Sequence, residues 1–229
     1  MTMETFQSIY QRAAERKGGE DQLESLLKKP LSKAELAAIP DDRWLSGFSM
    51  KVFQCGISWD VVRKKWPNFE ALFFQFRIEP LLMLSDDIWE QKAQDPKIIR
   101  HLAKVMSIPK NARMIYDARQ EYGSFSEMVA NWPVERITEL WDYLKKHGDR
   151  LGGNTGPYTL RQMGADTFIL SGDVEAYLRN TGIIEGGKNT KRSLQASNAA
   201  FCQWQQESGR SISEISQIIA FSTGDNRVM

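Results

Sequence analysis

Cysteine and histidine are scarce in this sequence of 229 residues, with two of each. Cys55 and Cys202 lie far apart and form no C-x-x-C pair, and His101 and His147 add no zinc-ligand spacing. No structural metal and no other cofactor are expected. The longest apolar run is far short of the ~20 residues that a membrane helix needs, so no membrane partner is expected. Met1 to Tyr10 carries no basic segment followed by an apolar one, and with so few cysteines a reducing, cytoplasmic setting is the expectation. Charge of one sign is lacking too: 30 Lys+Arg stand against 29 Asp+Glu, a net charge of +1. That excludes a strongly basic tail or a membrane-coating surface. It does not exclude a nucleic-acid partner, because the layout of charge matters more than its sum.

Proline (8) and glycine (16) are ordinary in number, so the chain is neither collagenous nor disordered. Sustained period-two alternation, which strands require, is absent. Apolar residues recur instead at three- and four-residue steps, as in Phe6, Ile9, Tyr10, Ala13 and in Val129, Trp132, Ile137, Leu140, Trp141, Leu144. Ser32 with Glu35 is a capping-box start, and Ser58 and Ser85 precede apolar-periodic stretches as N-caps. Pro67, Pro80, Pro96, Pro109 and Pro133 are expected to separate short helices. The fold class is all-α. Residues 1–40 are expected as an N-terminal helical extension and residues 41–229 as the main helical domain, together forming one compact unit.

Two glycine-rich places interrupt the pattern, Gly148 to Gly156 and Gly182 to Gly187. The first joins a helix ending in Lys145-Lys146-His147 to one beginning near Pro157-Tyr158-Thr159. It reads either as a helix–hairpin–helix, whose free N–H groups attract anions, or as a plain turn between helices. Basic residues cluster at Arg63-Lys64-Lys65, at Lys97, Arg100, Lys104, Lys110 and Arg113, and at Lys145, Lys146 and Arg150 beside this turn. Such clusters suit phosphate positioning or a solvated helical face. Of the seven tryptophans, most occupy helical core positions. Trp59 stands apart. Gly56 ends one helix and Ser58 starts the next, so an aromatic ring there borders a cleft where a flat ligand can stack.

The segment Phe53-Gln54-Cys55-Gly56-Ile57-Ser58-Trp59, followed by Val62-Arg63-Lys64-Lys65 and Phe73-Phe74-Gln75-Phe76, resembles the bacterial 3-methyladenine DNA glycosylase I family. Ile98-Ile99-Arg100-His101, Lys110-Asn111-Ala112-Arg113 and Leu144-Lys145-Lys146-His147-Gly148 continue the resemblance in order over roughly residues 45–165. Leu151-Gly152-Gly153-Asn154-Thr155-Gly156-Pro157-Tyr158-Thr159 is similar to the hairpin of the wider helix–hairpin–helix glycosylase superfamily. Phe168 to Val174 is similar to the segment that carries that superfamily's aspartate, here Ser171, with Asp173 two residues on. Two departures stand out. Lys51 occupies the position of the family's pocket glutamate, and the family's zinc-binding cysteines and histidines are absent.

The resemblance implies a helix–hairpin–helix glycosylase-like bundle. It implies an enzyme that flips an alkylated base out of double-stranded DNA and hydrolyses its N-glycosidic bond; separately, a monomer is expected. Trp59, Phe53, Gln54 and Lys51 are then expected at the base pocket. Gly153, Thr155 and Gly156 are expected to give backbone contacts to phosphate, with Lys145 and Lys146 adding charge. Asp173 is the candidate for activating water, or else the N-cap of a helix over Val174–Leu178. The alternative function is a non-catalytic relative that binds damaged or distorted DNA.

Overall fold

The computed structural model describes residues 3–224, and residues 225–229 of the expected main domain lie outside the described residues. No strand occurs among the described residues, and the all-α expectation holds. The helices in chain order are α1 (Phe6–Lys17), α2 (Glu20–Leu26), α3 (Lys33–Ala37), α4 (Asp41–Gln54) and α5 (Trp59–Leu72). There follow α6 (Ile78–Leu82), α7 (Asp86–Ala93), α8 (Leu102–Val105), α9 (Ser107–Tyr122) and α10 (Phe125–Asn131). The last are α11 (Ile137–His147), α12 (Thr155–Gln162), α13 (Gly172–Asn180), α14 (Lys191–Ser208) and α15 (Ile212–Ser222).

The chain divides into two compact units. The first comprises Ser32–Trp132 and Leu140–Met163. Its core is aromatic. Trp66 stacks on Phe69 and Phe76 at centroid distances of 4.7 and 5.5 Å, and Phe73 stacks on Trp89 at 5.5 Å. Trp44 meets Phe125 edge-on at 5.3 Å, and its indole N–H donates to Ser126 Oγ at 2.6 Å. The reciprocal capping box at Ser32 and Glu35 forms as expected. Phe74, Gln75 and Phe76 all have positive φ, each costing about 1–2 kcal/mol in the left-handed region. Burial of Phe76 against Trp66 offsets that cost.

Pro67 departs from expectation. It lies inside α5 and does not separate two helices. Its missing N–H deprives the Arg63 carbonyl of its helical donor. Val62, Trp66 and Phe69 are nonetheless buried along one face of the helix, which holds the helical path through the proline.

The second unit comprises the residues up to Leu31, Pro133–Glu139, and the residues from Gly164 onward. The contacts therefore group the segments differently from a boundary at residue 40. The reason lies at the start of the chain, where Glu4 is a hub. Its carboxylate accepts from Arg12 at 2.7 Å and from the Tyr177 hydroxyl at 2.8 Å, and its carbonyl accepts from the Trp204 indole at 2.9 Å. The Arg12 guanidinium, aided by Ser8 and Tyr177, holds the Glu4 carboxyl down at about 2. Phe168 stacks on Phe201 at 4.2 Å, and Phe201 meets Trp204 edge-on at 5.5 Å. Buried apolar faces of α1, α13, α14 and α15 complete this core.

Candidate base pocket and DNA-contacting hairpin

Within the first unit, α4 ends at Gln54, and a turn through Gly56 (φ +81°) leads into α5. Lys104 fastens this turn. Its buried ammonium donates to the carbonyl of Phe53 at 3.2 Å and to that of Cys55, two carbonyls that the helix leaves without partners. Trp59 is thereby set at the first position of α5, half exposed.

Lys51 lies one turn before the end of α4 and is only 9% exposed. Its Nζ stands 4.0 Å from the ring centroid of Trp59 and 4.6 Å from that of Tyr158, which α12 supplies. Such cation–π contacts contribute about 0.5–2 kcal/mol each. Burial pushes the Lys51 amine below the ordinary lysine range. No hydrogen-bond acceptor or carboxylate among the described residues meets its Nζ. Gln54, three residues on and 7% exposed, likewise has no side-chain hydrogen bond among the described residues.

The expected pocket residues therefore divide. Lys51 and Trp59 meet, Gln54 shares the helix of Lys51, and Phe53 is placed elsewhere. Its ring is fully buried against Phe69 at 4.7 Å and Trp66 at 6.4 Å, inside the aromatic core. Tyr158, which is not among the expected residues, also meets Lys51. Its place in the hairpin sequence gave no hint that its ring would reach a side chain more than a hundred residues earlier.

The glycine turn joins α11 to α12. Asn111, fully buried on α9, holds it by donating to the Asp149 carbonyl at 3.2 Å and accepting from the Asp149 N–H at 2.7 Å. Asn111→Ala is expected to cost about 2–3 kcal/mol, because it leaves two backbone groups without partners. A denaturant titration reads this directly, and a loss below 0.5 kcal/mol would contradict it.

Gly156 serves close packing. A Cβ there would lie 2.8 Å from the Leu151 carbonyl and 3.1 Å from Leu144. Its N–H donates to Leu151 O at 3.1 Å, and the Thr155 N–H donates to Gly152 O at 3.3 Å, so both amides serve the turn itself. Gly153 (φ +61°) is exposed with open space around it. Lys145 and Lys146 are exposed in the last turn of α11 and make no ion pair among the described residues.

Other basic residues are tied up in the fold. Lys65 donates to the carbonyls of Pro96 and Ile98, Lys110 pairs with Asp149 at 3.2 Å, and Arg150 donates to Ala103 O. The residues that stay available for phosphate are thus fewer than the sequence clusters suggest.

Asp173 lies in the second unit, in the first turn of α13. It is not an N-cap. Ser171 caps that helix, accepting from the Val174 N–H at 3.3 Å, because α13 begins at Gly172. The Asp173 carboxylate lies close against Gly224.

A model of the methyladenine glycosylase family matches residues 38–152. The chain belongs to this family. The match spans α4, the turn held by Lys104, Trp59 and the whole of α11, and it stops just short of Gly153. DNA-3-methyladenine glycosylase 1 of Escherichia coli (strain K12) is 36% identical over an alignment of 127 positions, which covers 48% of this chain and 68% of that protein. Among solved structures, a 3-methyladenine DNA glycosylase I is 26% identical, with a TM-score of 0.46 over 54% of this chain and 78% of that one. The Staphylococcus aureus 3-methyladenine DNA glycosylase I is 21% identical, with a TM-score of 0.49 over 59% and 79%. At such TM-scores these likenesses add nothing to the sequence match. The methyladenine glycosylase match leaves most of the second unit uncovered, so the Glu4 hub and its partners are features of this chain outside the family segment.

Proposed function

We propose that this protein is a DNA glycosylase that removes alkylated bases of the 3-methyladenine type from double-stranded DNA, acting as a monomer in the cytoplasm. The observation that carries the reading is the family match over α4 to α11, which places Lys51 and Trp59 inside the matched segment. Flipping a base costs a few kcal/mol, recovered by stacking in a pocket. The exposed face of Trp59 is the stacking surface, with Tyr158 beside it. Lys145, Lys146 and the open Gly153 backbone hold phosphate next to the lesion.

An alkylated purine that carries positive charge leaves as a neutral base, so the bond breaks without a strong acid. Water then bonds to C1′ of the sugar and loses one proton to solvent. Incubation with methylated duplex DNA is expected to release free 3-methyladenine and leave abasic sites above the spontaneous rate. Salt-sensitive binding without release would favour the non-catalytic DNA-binding alternative instead. Absence of binding at low salt would overturn both.

A further inference from the structure

We propose that Lys51, with Gln54, widens the site's acceptance to a neutral 6-oxopurine base beside the 3-methyladenine type, at a cost in rate on the cationic base. This rests on the glycosylase reading above and concerns which base that same site accepts.

The fold contains two buried lysines in the neighbourhood of the α4–α5 turn, and it treats them differently. Lys104, 6% exposed, gives its N–H donors to the carbonyls of Phe53 and Cys55. Lys51, 9% exposed, has two aromatic faces for company and no acceptor among the described residues. The Lys51 ammonium, held between two rings at a site still open to water, keeps its N–H donors for a ligand. Gln54 lies three residues later on α4, the spacing that puts two side chains on one helix face, and its amide makes no hydrogen bond among the described residues and stays reachable from solvent.

Together they offer a base edge an ammonium donor and an amide that both donates and accepts. A 6-oxopurine fits that pair. Its O6 accepts from Lys51 Nζ, and its N1–H donates to the Gln54 carbonyl oxygen. A cationic base would instead meet a like charge already seated against Trp59 and Tyr158, where it would have to stack.

The chemistry distinguishes the two bases in the same sense. When a neutral purine leaves, the C1′–N9 bond breaks and its electron pair goes with the base. Negative charge then develops on the ring and on O6. The water oxygen bonds to C1′, one of its protons stays on the new hydroxyl, and the other ends on the departing purine. An ammonium at O6 stabilises that developing charge. A cationic base becomes neutral on leaving and gains nothing of the kind.

The test compares full-length wild type, Lys51→Gln and Lys51→Glu on two probes below enzyme saturation: a duplex with one hypoxanthine, and methylated duplex releasing 3-methyladenine. Wild type is expected to release hypoxanthine. Lys51→Gln is expected to lower that release at least tenfold and to raise 3-methyladenine release at least tenfold. Lys51→Glu should shift the ratio further. Because the ratio of the two rates is read from one preparation, partial misfolding of a variant cannot produce the change.

Wild type that releases 3-methyladenine but no hypoxanthine would overturn the proposal and leave the glycosylase reading intact. So would a ratio that stays within twofold in both variants. Release of neither base by any of the three proteins would overturn the glycosylase reading, and this proposal with it.

Discussion

Trp59→Ala is expected to lower base release 10- to 100-fold and to cost only about 0.5–2 kcal/mol of stability, the worth of its cation–π contact with Lys51. Stacking a base on an aromatic side chain contributes about 1–3 kcal/mol, which is the size of that loss in rate. The small effect on stability follows from position. Trp59 is 50% exposed at the start of α5, and its ring contact is with the Lys51 ammonium, not with the core. Trp59→Phe keeps a flat face and should recover most of the activity. Single-turnover release from methylated duplex, read beside a denaturant titration, separates the two effects. Equal activity in wild type and Trp59→Ala would remove Trp59 from the base pocket.

Trp44→Ala is expected to act in the opposite way, costing about 3–5 kcal/mol of stability. Trp44 is fully buried on α4, edge-on to Phe125, with its N–H bonded to Ser126 Oγ. Deletion leaves a cavity the size of an indole and frees a hydroxyl that had accepted from it. Although α4 also carries Lys51 and Gln54, Trp44 packs on Phe125 and Ser126, so activity should fall only as the folded fraction falls. Rates corrected for folded protein should then match wild type. The denaturation midpoint checks the first part, and a loss under 1 kcal/mol would show that the site collapses around the deletion.

The contrast between these two tryptophans marks what was legible. Both sit in helical sequence, yet Trp59 follows a glycine and a serine at a helix start, whereas Trp44 lies within an apolar period. Those local signals were enough to set one half exposed at a helix start and the other in the core. Local signals also sufficed for the capping box at Ser32 and Glu35 and for the glycine turn before α12. They failed at Pro67, because the proline's cost is a local term, and burial along the α5 face, which outweighs it, is not. They failed at Phe53 as well. Within its motif it reads as a neighbour of Trp59, but its position on α4 turns it toward Trp66 and Phe69.

By itself, the sequence determined the helical class and the family segment. Periodicity, caps and motif order are properties of neighbours along the chain. Tertiary structure alone decided that Lys51 meets Tyr158, that Asn111 holds the glycine turn, and that the start of the chain packs with residues beyond Gly164. Each of these joins residues tens to hundreds of positions apart. Their partners are chosen by buried area and by hydrogen bonds that exist only once the cores have closed. The scarcity of cysteine and histidine left that work to aromatic packing and to Glu4, Lys104 and Asn111, which do by hydrogen bonding what a metal or a disulfide does elsewhere.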